Sequence, residues 1–197
     1  MRLHIAPPSP NARKTITANG LLGLDAEIVE VDVKGWAHKT REFLLLNPNG
    51  KIPVLEFDDG STLWESNAII NRMTAEVDTD LWPKSNARYD IMRWQFWETA
   101  HWTPACRQFI SKHIFGNDDV DIPKAEEEFK TLAGVLDGHL ASRKWLVGDA
   151  MTNADISVAS YLCYREPCHY PMGGFANINR WLDPIEALPA WQAANPT

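Results

Sequence analysis

Cysteine is scarce in this chain. Three of the 197 residues carry a thiol, Cys106, Cys163 and Cys168, so they cannot all pair with one another and free thiols are expected. Their spacing fits no zinc motif, Cys163 with Cys168-His169 being the nearest approach, so no metal is expected. Positive charge is short as well: 19 Lys and Arg stand against 26 Asp and Glu, a formal charge of −7. With no basic stripe to neutralise phosphates, a nucleic-acid partner is excluded. No apolar run approaches the roughly 20 residues that span a bilayer, and residues 1–20 lack the apolar core of a signal peptide, so no membrane partner and a cytoplasmic location are expected. P-loop and dinucleotide fingerprints are missing, and so are internal repeats.

What is present is ordinary for a globular protein, 45% hydrophobic and 23% charged residues, with enough chain for one large domain or two small ones. Leu3 and Ile5 alternate with Arg2 and His4 in a short first strand. Ala6-Pro7-Pro8 ends it, and Ser9-Pro10 opens a helix with a hydroxyl N-cap and proline at the first position, closed by Gly23. A strand follows over Ile28 to Val33, and Thr40 opens a short helix through Phe43 and Leu46 that Pro48 terminates.

Asn47 to Met73 carries the most information. Asn47-Pro48-Asn49-Gly50 is turn chemistry. Ile52 to Phe57 and Ser61 to Trp64 form a hairpin around Asp58-Asp59-Gly60, and Ser66 reads as the N-cap of a helix bearing Ile69, Ile70 and Met73. Pro53 at the mouth of its strand cannot donate to a ladder, which leaves Ile52 with free backbone groups at an edge where a peptide-like ligand could pair. Glu65 and Ser66 precede a helix N-terminus, a corner that can grip a zwitterion. The plain alternatives are an edge proline and a helix cap. The order β, α, β, α, β, β, α predicts a thioredoxin-like domain over residues 1–78, a four-stranded mixed sheet with helices.

From about residue 85 to 197 strand signals vanish and an all-α domain is predicted. Seven of the nine tryptophans lie beyond residue 80. Ile91, Trp94, Glu98, Trp102, Ala105 and Phe109 recur at helical spacing in a long helix from about Ala87 to Phe115, kinked at Pro104. Phe129, Leu132, Val135, Leu136 and Leu140 mark a second helix, opened near Pro123. Thr152 and Asp155 read as the capping box of a third. A last stretch holds Ile178, Trp181 and Ile185 but is interrupted by Pro184.

The run NPNGKIPVL followed by LWESNAI, with GWAHKTREFLLLNP upstream and GDAMTNADISVA downstream, resembles the glutathione S-transferase family, whose pattern is a residue pair ahead of a cis proline and an acidic-Ser pair ahead of a helix. The order of these segments is the family's, and the resemblance spans most of the chain. It implies glutathione as co-substrate, a homodimer, and a Ser-type, bacterial-like cytosolic class. The loop ahead of the first helix has no tyrosine and no cysteine, against the Tyr-type classes and against glutaredoxin-like exchange.

By that resemblance Ser9 donates a hydrogen bond to the glutathione sulfur, with Asn11 as the fallback donor; the plain reading is that Ser9 only caps its helix. A thiol of pKa ~8.5 is a few per cent ionised at pH 7, and lowering it by about 2 units takes roughly 2.7 kcal/mol. One hydrogen bond to a charged group, at ~1.5–3 kcal/mol, is the right size. Glutathione needs cations for its carboxylates, which His38, Lys39 and Lys51 can supply, and the resemblance gives Lys39 and Lys51 to the glycyl carboxylate. It gives the Ile52 backbone beside Pro53 to the cysteinyl unit, and Glu65 with Ser66 to the γ-glutamyl end. The second substrate is expected to be a small apolar electrophile docking between the domains against the long helix, lined by His101, Trp102, Cys106 and Phe109. Core packing is the competing reading for each of these, with Cys106 an inert buried thiol. The function implied is transfer of the glutathione thiol to that electrophile. A glutathione-dependent peroxidase and a non-catalytic glutathione-binding or protein-interaction module of the same fold are the alternatives.

Overall fold

Leu3 and Ile5 are buried in a strand that a second strand flanks on one side and a third on the other. The computed structural model describes residues 1–195, which divide into two compact units, residues 1–82 with 187–195, and Pro83–Glu186. In the first unit the strands are β1 (Arg2–Ile5), β2 (Glu27–Glu30), β3 (Val54–Glu56) and β4 (Thr62–Trp64). Their order is β2-β1-β3-β4, with β2 parallel to β1 and the two other pairs antiparallel. The helices are α1 (Pro10–Leu22), α2 (Arg41–Leu46) and α3 (Ser66–Ala75). Leu3, Ile5 and Leu55 pack with Ala12, Ile69 and Met73 in one core. This is the thioredoxin-like arrangement that the element order predicts.

Several boundaries differ from the sequence reading. β2 begins at Glu27 and ends at Glu30 instead of reaching Val33, because its partner β1 stops at Ile5; Val31 N–H still donates to the Ile5 carbonyl at 2.7 Å. Beyond it Asp32 caps a turn, accepting from Gly35 N–H at 2.8 Å. β3 lies inside the sheet, so Ile52 is not at a sheet edge. The ladder ends at Val54 on both sides and leaves Ile52 beyond its end. Ser66 is the first residue of α3 and not its cap; Glu65 holds the cap position with φ 71° and makes no side-chain capping bond.

The second unit is helical, with α4 (Ala87–Trp97), α5 (Thr103–His113), α6 (Ile122–Leu140), α7 (Asn153–Ala159) and α8 (Ala176–Glu186). The six-residue stripe from Ile91 to Phe109 is buried throughout. Pro104 sits in the first turn of α5, and the carbonyl its ring would crowd, four residues back, lies in a wider π turn over Glu98–Trp102 that takes up the disruption. Within that turn the buried Glu98 carboxylate accepts from the Thr99 and Thr103 hydroxyls. On α6 Val135 is 53% exposed, and Ala133 takes the core position expected for it. α7 is buried along its whole length and opens with the Thr152–Asp155 capping box that the sequence predicts. α8 runs through Pro184, which forgoes one bond, to the Arg180 carbonyl, two residues before the helix ends at Glu186.

The closing segment departs from the predicted second domain. Residues 187–195, with α9 (Pro189–Gln192), belong to the first unit and pack on α1. A Cβ on Gly20 would stand 2.9 Å from that of Ala190, so only glycine admits the approach. No helix among the described residues is long and apolar enough to cross a membrane.

Candidate functional site

The register of the sheet assembles the site. His4 and Trp64 both pair with Val54, so the end of β1, the start of β3 and the end of β4 lie at one end of the sheet. The residues just beyond are Ala6 to Ser9, Ile52-Pro53 and Glu65-Ser66. β2, parallel to β1, also ends there and leads into the segment carrying His38 and Lys39.

Ser9 is extended (φ −77°, ψ 124°) and caps α1, its Oγ accepting from Ala12 N–H at 3.4 Å. The cap and the functional reading do not exclude each other. Capping uses a lone pair, and among the described residues no acceptor is found for the hydroxyl's own proton, which stays available to donate. Asn11 is engaged elsewhere, its Oδ1 accepting from the Ser66 hydroxyl at 3.3 Å.

The turn ahead of Pro53 is tied by side chains. Asn47, buried, donates through Nδ2 to the Lys51 carbonyl at 2.7 Å and accepts from Asn49 N–H at 3.0 Å. Gly50 has φ +56°, where a Cβ would meet the His38 carbonyl and Lys39 Nζ, each at 2.8 Å. Lys39 donates to the Gly50 carbonyl at 2.8 Å and the Asn49 carbonyl at 3.3 Å. Its ammonium therefore braces the loop, a role the sequence reading did not give it. Lys51 is exposed and has no side-chain partner among the described residues. His38 stacks on Trp36 at 5.7 Å between centroids and 16° between planes, and its buried Nδ1 is unpartnered among the described residues. Pro53 is buried, and the Ile52–Pro53 bond is cis.

Glu65 is exposed, with no ion pair among the described residues, in a positive-φ conformation that costs a non-glycine residue of order 1–3 kcal/mol. Ser66 is buried, and its hydroxyl lies between Asn11 and Lys14. Lys14 and Asn47 are the residues that sequence reasoning missed. Lys14 follows Asn11 by three residues on α1, the spacing of one helix face, and a lysine there passes for a surface charge. Asn47 was visible as turn chemistry but not as the residue whose side chain ties the turn.

In the helical unit the four residues expected around the electrophile separate. Trp102, Cys106 and Phe109 are 0%, 0% and 1% exposed. Trp102 donates to the Val158 carbonyl at 3.1 Å and packs on Phe129; Phe109 packs on Phe129 and Tyr170. The Cys106 thiol is pushed well above its ordinary value, first by burial and then by the nearby Glu98. These three fill the core, as aromatic stripes at helical spacing usually do. His101 is exposed beside an open groove of about 560 Å³ lined by Pro104, Lys124, Glu127 and Leu132 among others.

The arrangement can hold a short zwitterionic peptide along the end of a sheet, with a hydroxyl at a helix N-terminus to meet an anion. Comparison with known proteins shows the family. The family model described as glutathione S-transferase, N-terminal domain, matches residues 8–76, and that described as glutathione S-transferase, C-terminal domain, matches residues 94–189. Glutathione S-transferase 3 of Zea mays is 33% identical over 204 residues, covering 98% of this chain and 91% of the maize protein. Elongation factor 1-gamma of Mus musculus is 30% identical over 189 residues, covering 91% of this chain and 42% of that protein. A glutathione S-transferase from Pseudomonas fluorescens superposes with a TM-score of 0.88 at 28% identity, covering 96% of each chain. A glutathione transferase from Phanerochaete chrysosporium, solved with oxidized glutathione, does so with a TM-score of 0.85 at 26% identity, covering 98% of this chain and 92% of that one. This chain belongs to the glutathione S-transferase family.

Proposed function

We propose that this protein is a glutathione transferase, binding glutathione at the end of the sheet described above and passing its sulfur to a small apolar electrophile. The observation that carries this reading is the register that brings Ser9, Pro53 and Glu65 to one sheet end. Glutathione lies along that end with the Ile52 backbone facing its cysteinyl unit. Lys51 and His38 serve the glycyl carboxylate, with Lys39 holding the loop that presents them. Glu65 and the first turn of α3 hold the γ-glutamyl end. The Ser9 O–H donates to the sulfur, and the α1 N-terminus adds positive potential, so the thiol proton leaves to solvent more readily. The thiolate lone pair then forms the carbon–sulfur bond while the leaving group departs with its electrons. Homodimer formation rests on family resemblance and is read by sedimentation.

Retention on glutathione resin and turnover of an aromatic halide test this reading together. Ser9→Ala is expected to keep the protein on the resin and slow turnover about 25-fold at neutral pH, the loss in thiolate when a pKa of about 6.5 returns to ~8.5. Full activity in Ser9→Ala with loss in Asn11→Ala moves the donor by two residues. A second reading has support in the elongation factor 1-gamma relatives, which are named for a role other than transfer: a binding module that keeps the site. Retention on the resin with no turnover by the unaltered protein favours it.

A further inference from the structure

Arg13 takes no part in the chemistry above, yet it is 4% exposed, a buried guanidinium at the end of the first turn of α1. It donates to the Trp191 carbonyl at 3.1 Å and to Asn195 Oδ1 at 2.8 Å, and its central carbon lies over the Trp191 indole. An apolar side chain would fill the same space without the cost of stripping water from a charge, so packing alone gives no reason for an arginine. What the guanidinium adds is direction. A planar fork with two partners fixes both the angle and the distance between the segments it joins.

The backbone of the same residue reaches Ser9. Arg13 N–H donates to the Ser9 carbonyl at 3.0 Å, and Ser9 N–H donates to the Ala6 carbonyl at 2.9 Å. The capping bond from Ala12 N–H to Ser9 Oγ, at 3.4 Å, is longer than the usual ~2.7–3.2 Å and holds the hydroxyl loosely. Where that hydroxyl stands therefore follows where the first turn stands. Asn11 ties the turn to α3, its Oδ1 accepting from the Ser66 hydroxyl at 3.3 Å. Arg13, about 200° further round the helix, ties it to the closing segment on the other side. The close approach of Ala190 to Gly20 sets the same segment against α1 about two turns further on.

We infer that Arg13 is a positioning residue: through it the closing segment sets the first turn of α1, and with it the aim of the Ser9 hydroxyl at the glutathione sulfur. The inference rests on the glutathione reading above. A misplacement of about 1 Å caused far from the chemistry can cost on the order of 100-fold in rate, so a small shift of the turn is enough to be read. An arginine that only fastened the closing segment would add stability and leave the ionisation of the bound thiol where it was.

Ultraviolet titration of the bound glutathione thiol in the full chain, with kcat and KM for transfer to an aromatic halide, separates these roles. In Arg13→Met, which keeps an unbranched stem, the bound thiol is expected to ionise about 1 unit higher than in the unaltered protein. From a starting value of about 6.5, kcat then falls about threefold at pH 7, about eightfold at pH 6 and hardly at all at pH 9, with KM for glutathione within about twofold. Asn195→Ala leaves the guanidinium and its charge in place and removes one of its two bonds; a rise of about half a unit is expected. An unmoved thiol in Arg13→Met overturns the inference. So does a rise in Arg13→Met with none in Asn195→Ala, which assigns the effect to the charge and not to the grip. Should Arg13→Met fail to fold, Asn195→Ala decides by itself, an unmoved thiol there overturning the inference. No binding of glutathione at millimolar concentration by the unaltered protein overturns the glutathione reading along with this one, whereas a lowered thiol that stays equally low in both variants overturns this one alone.

Discussion

The guanidinium of Arg13 lies over the indole of Trp191, its central carbon 5.0 Å from the ring centroid, and donates to the Trp191 carbonyl at 3.1 Å. A second nitrogen donates to Asn195 Oδ1 at 2.8 Å. A residue on the first helix thereby fastens the closing segment to the thioredoxin-like unit.

Trp191 is buried, so its removal costs packing as well as that contact. Trp191→Ala is expected to destabilise the protein by about 3–5 kcal/mol, lowering the melting temperature by roughly 10 °C in thermal unfolding followed by circular dichroism. A shift of a degree or two would mean that the closing segment contributes little to the unit.

Asp155 anchors the helical unit from inside. It accepts from Leu146 N–H at 2.9 Å, Thr152 N–H at 2.8 Å, the Thr152 hydroxyl at 3.0 Å and the Trp181 indole N–H at 2.8 Å. Asp155→Ala strands buried donors on a loop and on two helical segments, at a cost of about 3 kcal/mol or more. A urea midpoint equal to that of the unaltered protein would contradict this.

The sheet carries a pH-dependent contact. His4 Nε2 lies 2.8 Å from Glu56 Oε2, and this hydrogen bond, with help from Arg2, holds the Glu56 carboxyl below its ordinary value of 4.5. A lowered carboxyl binds its proton less tightly folded than unfolded. Its contribution to stability is therefore complete above the unfolded value and fades as pH falls from about 4.5 through the lowered one. The slope of melting temperature against pH below 4.5 is expected to be shallower in Glu56→Gln, and an unchanged slope would remove Glu56 as a source.

The cysteines offer a test of the core assignment. Burial pushes the Cys168 thiol up to about 11 and the Cys106 thiol well above its ordinary value, while Cys163 is partly exposed. Iodoacetamide at pH 8 is expected to modify Cys163 first in the folded protein and all three thiols after denaturation. Rapid modification of Cys106 would return it to a reachable pocket.

Much of the fold was legible because its signals are local. Ser9-Pro10, Thr40, the Asn47 to Gly50 turn and the Thr152–Asp155 box each announce an element end through chemistry within a few residues, and all four stand where expected. What could not be read depends on partners distant in sequence. The length of β2 is fixed by where β1 stops, and the return of residues 187–195 by Arg13 and Gly20. The helical periodicity correctly marked a buried stripe. It could not say whether Trp102, Cys106 and Phe109 were buried by core or by ligand, since both demand the same apolar residues. Lys14 stayed hidden for the converse reason, a charged residue being read as exposed until its partners are seen.

The most direct measurement is a titration of the thiol of glutathione bound to the protein, followed by its thiolate absorbance in the ultraviolet. In the unaltered protein the bound thiol is expected to ionise about 2 units below the ~8.5 of a free thiol, and in Ser9→Ala to return most of the way. Ionisation at the free value in the unaltered protein, or an undiminished shift in Ser9→Ala, would contradict the assignment of Ser9 to the sulfur.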